Sequence, residues 1–99
     1  MMIVGVMQLS LALPASQSLK DKRQVVRSLL ARLRNEFGVA AAEVDTQDKR
    51  QLATLGLACV SGEAQHAEEI LDHAVRYIEE TRPDVEISDV QVEMVPMEP

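Results

Sequence analysis

The chain has 99 residues, 46% hydrophobic and 26% charged, with a net charge of -6. That is ordinary for one folded domain able to bury a core without metal or disulfide staples. The single cysteine, Cys59, excludes an internal disulfide and suits a reducing compartment, so a cytoplasmic setting is expected. Only Phe37 and Tyr77 are aromatic, which leaves the core to Val, Leu, Ile, Ala and Met.

Residues 2–12 read as a strand. Ile3, Gly5, Met7, Leu9 and Leu11 fall on one side, and Met2, Val4, Val6, Gln8, Ser10 and Ala12 on the other. A strand apolar on both faces over its first half belongs inside a sheet. The opening is too short to span a bilayer and has no basic residue ahead of it, unlike a leader peptide. Ser18 followed by Asp21 predicts a capped helix start. Leu19, Val26, Leu29, Leu30, Leu33 and Phe37 then form one apolar stripe, and Gly38 stands where a left-handed cap is wanted.

Residues 39–46 read as a second strand and 52–61 as a third, joined by the polar turn "QDKR" into an antiparallel hairpin. Ser61 and Gly62 are expected to open a second helix with Ala67, Ile70, Leu71, Ala74, Tyr77 and Ile78 inward, closed by Pro83. Residues 85–95 read as a fourth strand whose apolar phase slips near Ser88–Asp89, the mark of a bulge. "PMEP" is expected to be a short tail. The order β-α-β-β-α-β predicts an α+β, ferredoxin-like sandwich over 1–99, a four-stranded antiparallel sheet with both helices on one face.

The block "LKDKRQVVRSLLARLRNEFGVAAAEVDTQDKRQLATLGLACVS" resembles the signature region of the YlxP-like proteins, a bacterial family built on a domain of unknown function. The matching features are the "LKDKR" helix start, the passage from helix to "AEV" strand, and the "QD" turn. The sequence departs from the family at Gly38, Ala40 and Ala42, where Asn, Ser or more polar residues are common. The resemblance implies a ferredoxin-like fold and genes that often neighbour translation-initiation and ribosome-maturation factors. It implies no reaction and no ligand.

Charge is segregated along the chain. Residues 19–37 carry six basic and two acidic side chains, a balance of +4, against -10 for the remainder. Around a helix, Lys20, Arg23, Arg27 and Arg34 fall within about 60° of one another. The topology is expected to bring Lys49 and Arg50 near Lys20, Lys22 and Arg23 at one end of the molecule. These seven residues form the candidate nucleic-acid surface for ribosomal or structured RNA. Against it stand the acidic pI and the absence of stacking aromatics on the sheet, so backbone- or shape-directed contact is predicted.

The bland alternative pairs these cations with Asp21, Glu36, Asp45 and Asp48 on a solvated face. His66, Glu69 and His73 have metal-compatible spacing on one flank of the second helix but no ligand from another segment, so no metal is assigned. Asp45 and Asp48 read as turn formers, and Ser16 and Ser18 have no adjacent base. No phosphate loop occurs, and no catalytic set, cofactor or membrane contact is expected. The fold leaves one sheet face without helices, and a self-assembling or adaptor domain using that face is the second functional expectation.

Overall fold

The computed structural model describes residues 1–98. Its elements are β1 (Met2–Ala12), α1 (Leu19–Phe37), β2 (Ala40–Glu43), β3 (Leu52–Ser61), α2 (Ala64–Thr81) and β4 (Glu86–Met97). They form one sheet of order β2-β3-β1-β4 in which every neighbouring pair is antiparallel. This is the expected ferredoxin-like α+β sandwich.

Period-two burial shows which face the helices cover. Ile3, Gly5, Met7, Leu9 and Leu11 of β1 are buried together with Ala53, Leu55, Leu57 and Cys59 of β3. Val26, Leu29, Leu30 and Leu33 of α1, and Ala67, Leu71, Ala74 and Ile78 of α2, close over them. At Gly5 a β-carbon would lie 3.1 Å from Leu71 Cδ1 and 3.2 Å from both Ala67 Cβ and Cys59 Sγ, so α2 packs on the sheet closely enough here that any side chain would push its neighbours back by a few tenths of an ångström. Phe37 and Tyr77 meet edge to face on the helix layer, with ring centroids 5.6 Å apart, which leaves the opposite sheet face without aromatics.

Helix boundaries follow local chemistry. Ser18 accepts the Asp21 N–H, and the Asp21 carboxylate accepts the Gln17 N–H, one residue before the position a capping box would use. Gly38 closes α1 at φ 63° and donates its N–H to the Arg34 carbonyl. α2 starts differently from expectation. Glu63 is its cap residue with no side-chain cap, while Ser61 accepts the Glu63 N–H just before it.

Two strand boundaries also differ. The second strand, expected over 39–46, ends at Glu43 because Asp45 adopts a left-handed backbone (φ 64°), which a short polar side chain tolerates. The fourth strand runs through the expected tail to Met97. Pro96 pairs with Ile3 there, tolerated because β4 is an edge strand. The bulge is where the slipped pattern predicted it: Asp89 pairs Ser10 and Ile87 pairs Leu11, leaving Ser88 extra, its hydroxyl on the Ser10 carbonyl.

Candidate nucleic-acid interface

α1 packs over β2, and α2 over β1, β3 and β4, so the sheet order sorts charge sideways. Residues 1–62 contain eight basic and five acidic side chains, and residues 63–99 contain two and eleven. The β2/α1 side of the particle is therefore basic and the α2/β4 side strongly acidic.

On the basic side Lys20, Arg23, Arg27, Lys49 and Arg50 are exposed. Among the described residues, ion pairs occur only at Lys22–Glu43 and Arg82–Asp84. Asp21, Glu36, Asp45 and Asp48 thus pair with none of the helix cations. The stripe from Lys20 to Arg34 extends about 21 Å at the helical rise, roughly the spacing of several phosphates, so it runs the length of α1 and is no polar cap at one end.

The helix start does meet the β2–β3 turn. The Leu13 N–H donates to the Gln51 carbonyl, and the Gln51 amide donates to the carbonyls of Pro14 and Ser16. Lys49, Arg50, Gln51 and Leu52 line a shallow concavity with Ala12 and Pro14 beside that junction.

Lys22 is a correction. The charge pattern puts it among the phosphate-contacting cations, but its side chain is 0% exposed and lies 2.7 Å from the Glu43 carboxylate. Its ammonium also donates to the Thr46 carbonyl. The Thr46 hydroxyl donates to the same Glu43 oxygen at 2.8 Å and accepts the Thr54 N–H at 2.8 Å. One network thus ties α1, the end of β2, the turn and β3, and the buried Lys22 ammonium is closed off from a surface ligand. A sequence signal for this exists: Lys22 precedes Val26, Leu29 and Leu33 by four, seven and eleven residues, inside the apolar stripe.

Arg34 is half committed. Its guanidinium donates from Nε and Nη2 to the Ala41 carbonyl, at 3.1 and 2.5 Å. The Gln47 side-chain amide donates to the Glu43 carbonyl at 3.1 Å. Because Val44 donates inward to Thr54, the carbonyls of Ala41 and Glu43 face away from β3, and these two side chains blunt an edge strand. A backbone carbonyl leaves the positive charge of Arg34 intact, so the residue still contributes to the field of the stripe.

His66, Glu69 and His73 are exposed along α2, and no group of three or more His, Cys, Asp or Glu among the described residues is arranged to hold a metal ion. Cys59 is buried with its thiol toward the Ala67 carbonyl at 3.6 Å, and burial pushes that thiol above its ordinary range despite the opposing Gly5 backbone contact. No helix among the described residues is long and apolar enough to cross a membrane.

The family model described as "Protein of unknown function (DUF503)" matches residues 4–92. The chain belongs to the DUF503 family. Uncharacterized protein YlxP of Bacillus subtilis (strain 168) is 35% identical to this DUF503 chain over 69 residues, covering 70% of the chain and 74% of the relative.

Solved structures share the fold at low identity. A VAO-type flavoprotein, MtVAO615 from Myceliophthora thermophila C1, matches 94% of the chain with TM-score 0.59 and 14% identity. The de novo designed protein Foldit4 matches 99% with TM-score 0.54 and 12% identity, over its whole length. An amidase of the hydantoinase/carbamoylase family from Burkholderia phymatum matches 100% with TM-score 0.54 and 12% identity. The chain spans only 16% of the flavoprotein and 29% of the amidase, so their chemistry resides in proteins several times larger than the shared fold.

Proposed function

We propose that this DUF503 chain is a non-enzymatic cytoplasmic protein that binds ribosomal or structured RNA through Lys20, Arg23 and Arg27, extended by Arg34 at one end and by Lys49 and Arg50 at the other. The observation that carries the reading is the row of exposed α1 cations with no carboxylate partner among the described residues, set on the basic side of an otherwise acidic particle. A row at helical spacing suits a phosphate backbone. The acidic flank formed by α2 and β4 repels the same polymer and so restricts contact to one side.

Binding to purified ribosomal subunits and to a structured RNA, followed by filter retention across a salt series, tests this. Arg23→Glu with Arg27→Glu should reduce affinity at least tenfold and flatten the salt dependence, since each lost phosphate contact lowers the slope by about one. The Lys22 side chain predicts no such change. Absence of binding at low salt, or binding indifferent to the double substitution, overturns the proposal.

A second reading treats the helix-free sheet face as a protein-interaction surface. It is favoured by one end of that face, where Met2, Val60, Val95 and Met97 are exposed together around Val4.

A further inference from the structure

The uncovered face is uneven across its middle. There β2 and β3 present small side chains, Ala40, Ala42, Gly56 and Ala58, beside the larger Val6, Gln8, Gln91 and Glu93 of β1 and β4; toward the ends β3 presents Leu52, Thr54 and Val60. Registers place Ala42, Gly56, Gln8 and Gln91 in one row across the sheet, and Ala40, Ala58, Val6 and Glu93 in the next. A hollow of 640 Å³ opens over Gly56 between Val44 and the two glutamines. At Gly56 an added β-carbon would touch only Val44, at 3.6 Å, so this glycine is not required by packing within the chain.

Charge on the face is also sided. Its strands carry no Lys or Arg; the carboxylates are Glu86, Asp89 and Glu93, all on β4. Lys49 and Arg50 flank the opposite top corner, beside Leu52, which is level with Ala12 and Glu86.

From these relationships we infer that two copies of this chain pair through their open faces about a two-fold axis parallel to the strands. The inference rests on reading that face as an interaction surface and names its occupant. Rotation about such an axis exchanges left with right and keeps top at top. Gln8 then lies over the partner's Gly56, filling the hollow, and Val4 lies over the partner's Val60. The Arg50 corner of each copy comes over the Glu86 edge of the other. A two-fold axis across the strands does neither, because it sets hollow on hollow and leaves the basic corner over Val60. Isologous contacts require one patch to complement itself, and here a single operator satisfies both shape and charge.

The strands of 11, 4, 10 and 12 residues, at about 3.3 Å per residue and about 4.8 Å between strands, give roughly 600 Å² per copy, or about 1,200 Å² in total, the lower bound for a stable specific interface. The dimer is accordingly a reversible one, with α1 of each copy outermost and its cationic stripe free.

Sedimentation equilibrium of the full chain over a concentration range reads the outcome. Wild type should dimerise in the micromolar range. Gly56→Gln, which fills the hollow, and Val60→Lys, at a side chain 65% exposed in the single chain, should each weaken the dimer at least tenfold with unchanged circular dichroism. Arg50→Glu should weaken it several-fold, and adding Glu86→Arg should restore it. A strict monomer at high micromolar concentration overturns self-association, leaving the face to another partner. A dimer unmoved by Gly56→Gln and Val60→Lys overturns the open-face reading itself. A dimer lost in those variants but indifferent to the Arg50/Glu86 exchange overturns only the assigned axis.

Discussion

The fully buried Lys22 ammonium sits 2.7 Å from the Glu43 carboxylate, joining the first turn of α1 to the last residue of β2. Removing one member of a buried pair strands the other charge, which typically costs about 3–5 kcal/mol. Glu43 is 12% exposed and keeps its Thr46 bond, so Lys22→Ala is expected near the lower end, about 3 kcal/mol, by urea denaturation. The pair replaced together, Lys22→Met with Glu43→Leu, should recover much of that loss. If Lys22→Ala unfolds at the wild-type midpoint, the network contributes nothing.

Gly5 is the packing constraint of the core. A methyl group there meets Leu71, Ala67 and Cys59 at 3.1–3.2 Å, and two of these are short side chains with little freedom to withdraw. Gly5→Ala should cost about 1–3 kcal/mol of unfolding free energy as α2 is pushed off β1. Val60→Ala, on the open face of the neighbouring strand, should stay within about 0.5 kcal/mol in dilute solution.

Arg34 guards the β2 edge. Arg34→Ala frees the Ala41 carbonyl to solvent, so the expected loss is modest, about 1 kcal/mol, seen as a lower thermal midpoint. Its polyanion effect should be smaller than that of Arg23→Ala, since the guanidinium is already engaged. Equal losses of RNA affinity from the two substitutions would contradict that ordering.

A weak acid-side contribution to stability comes from the turn after α2. Arg82 donates to both carboxylate oxygens of Asp84, at 3.0 and 2.7 Å. That bond holds the Asp84 carboxyl below its ordinary value of 3.8. A depressed folded-state value means the contribution is present above the unfolded value and is lost as pH falls through the folded one. The pair is substantially exposed, so Asp84→Asn should cost under about 1 kcal/mol at neutral pH. The difference between variant and wild type should vanish below the carboxylate range in an unfolding series against pH.

Much of the architecture was legible in the residues themselves. The two faces of 2–12, the apolar stripe of 19–37 and the slip at Ser88 each depend on nearest neighbours along one element, and periodicity reports such relations directly. The short second strand was less so. Its end is set by the left-handed Asp45 and by the Lys22 network, neither of which alters a hydrophobic pattern.

The sequence alone therefore determined the element order, the two faces of the central strands and the concentration of cations in one helix, because all three are properties of local spacing. Only the tertiary structure decided that Lys22 pairs with Glu43 and the Thr46 carbonyl, and that Arg34 is spent on the β2 edge. It also decided that basic and acidic halves lie side by side. Those outcomes depend on which segments the sheet order places against one another, and an isolated helix holds no record of its neighbours.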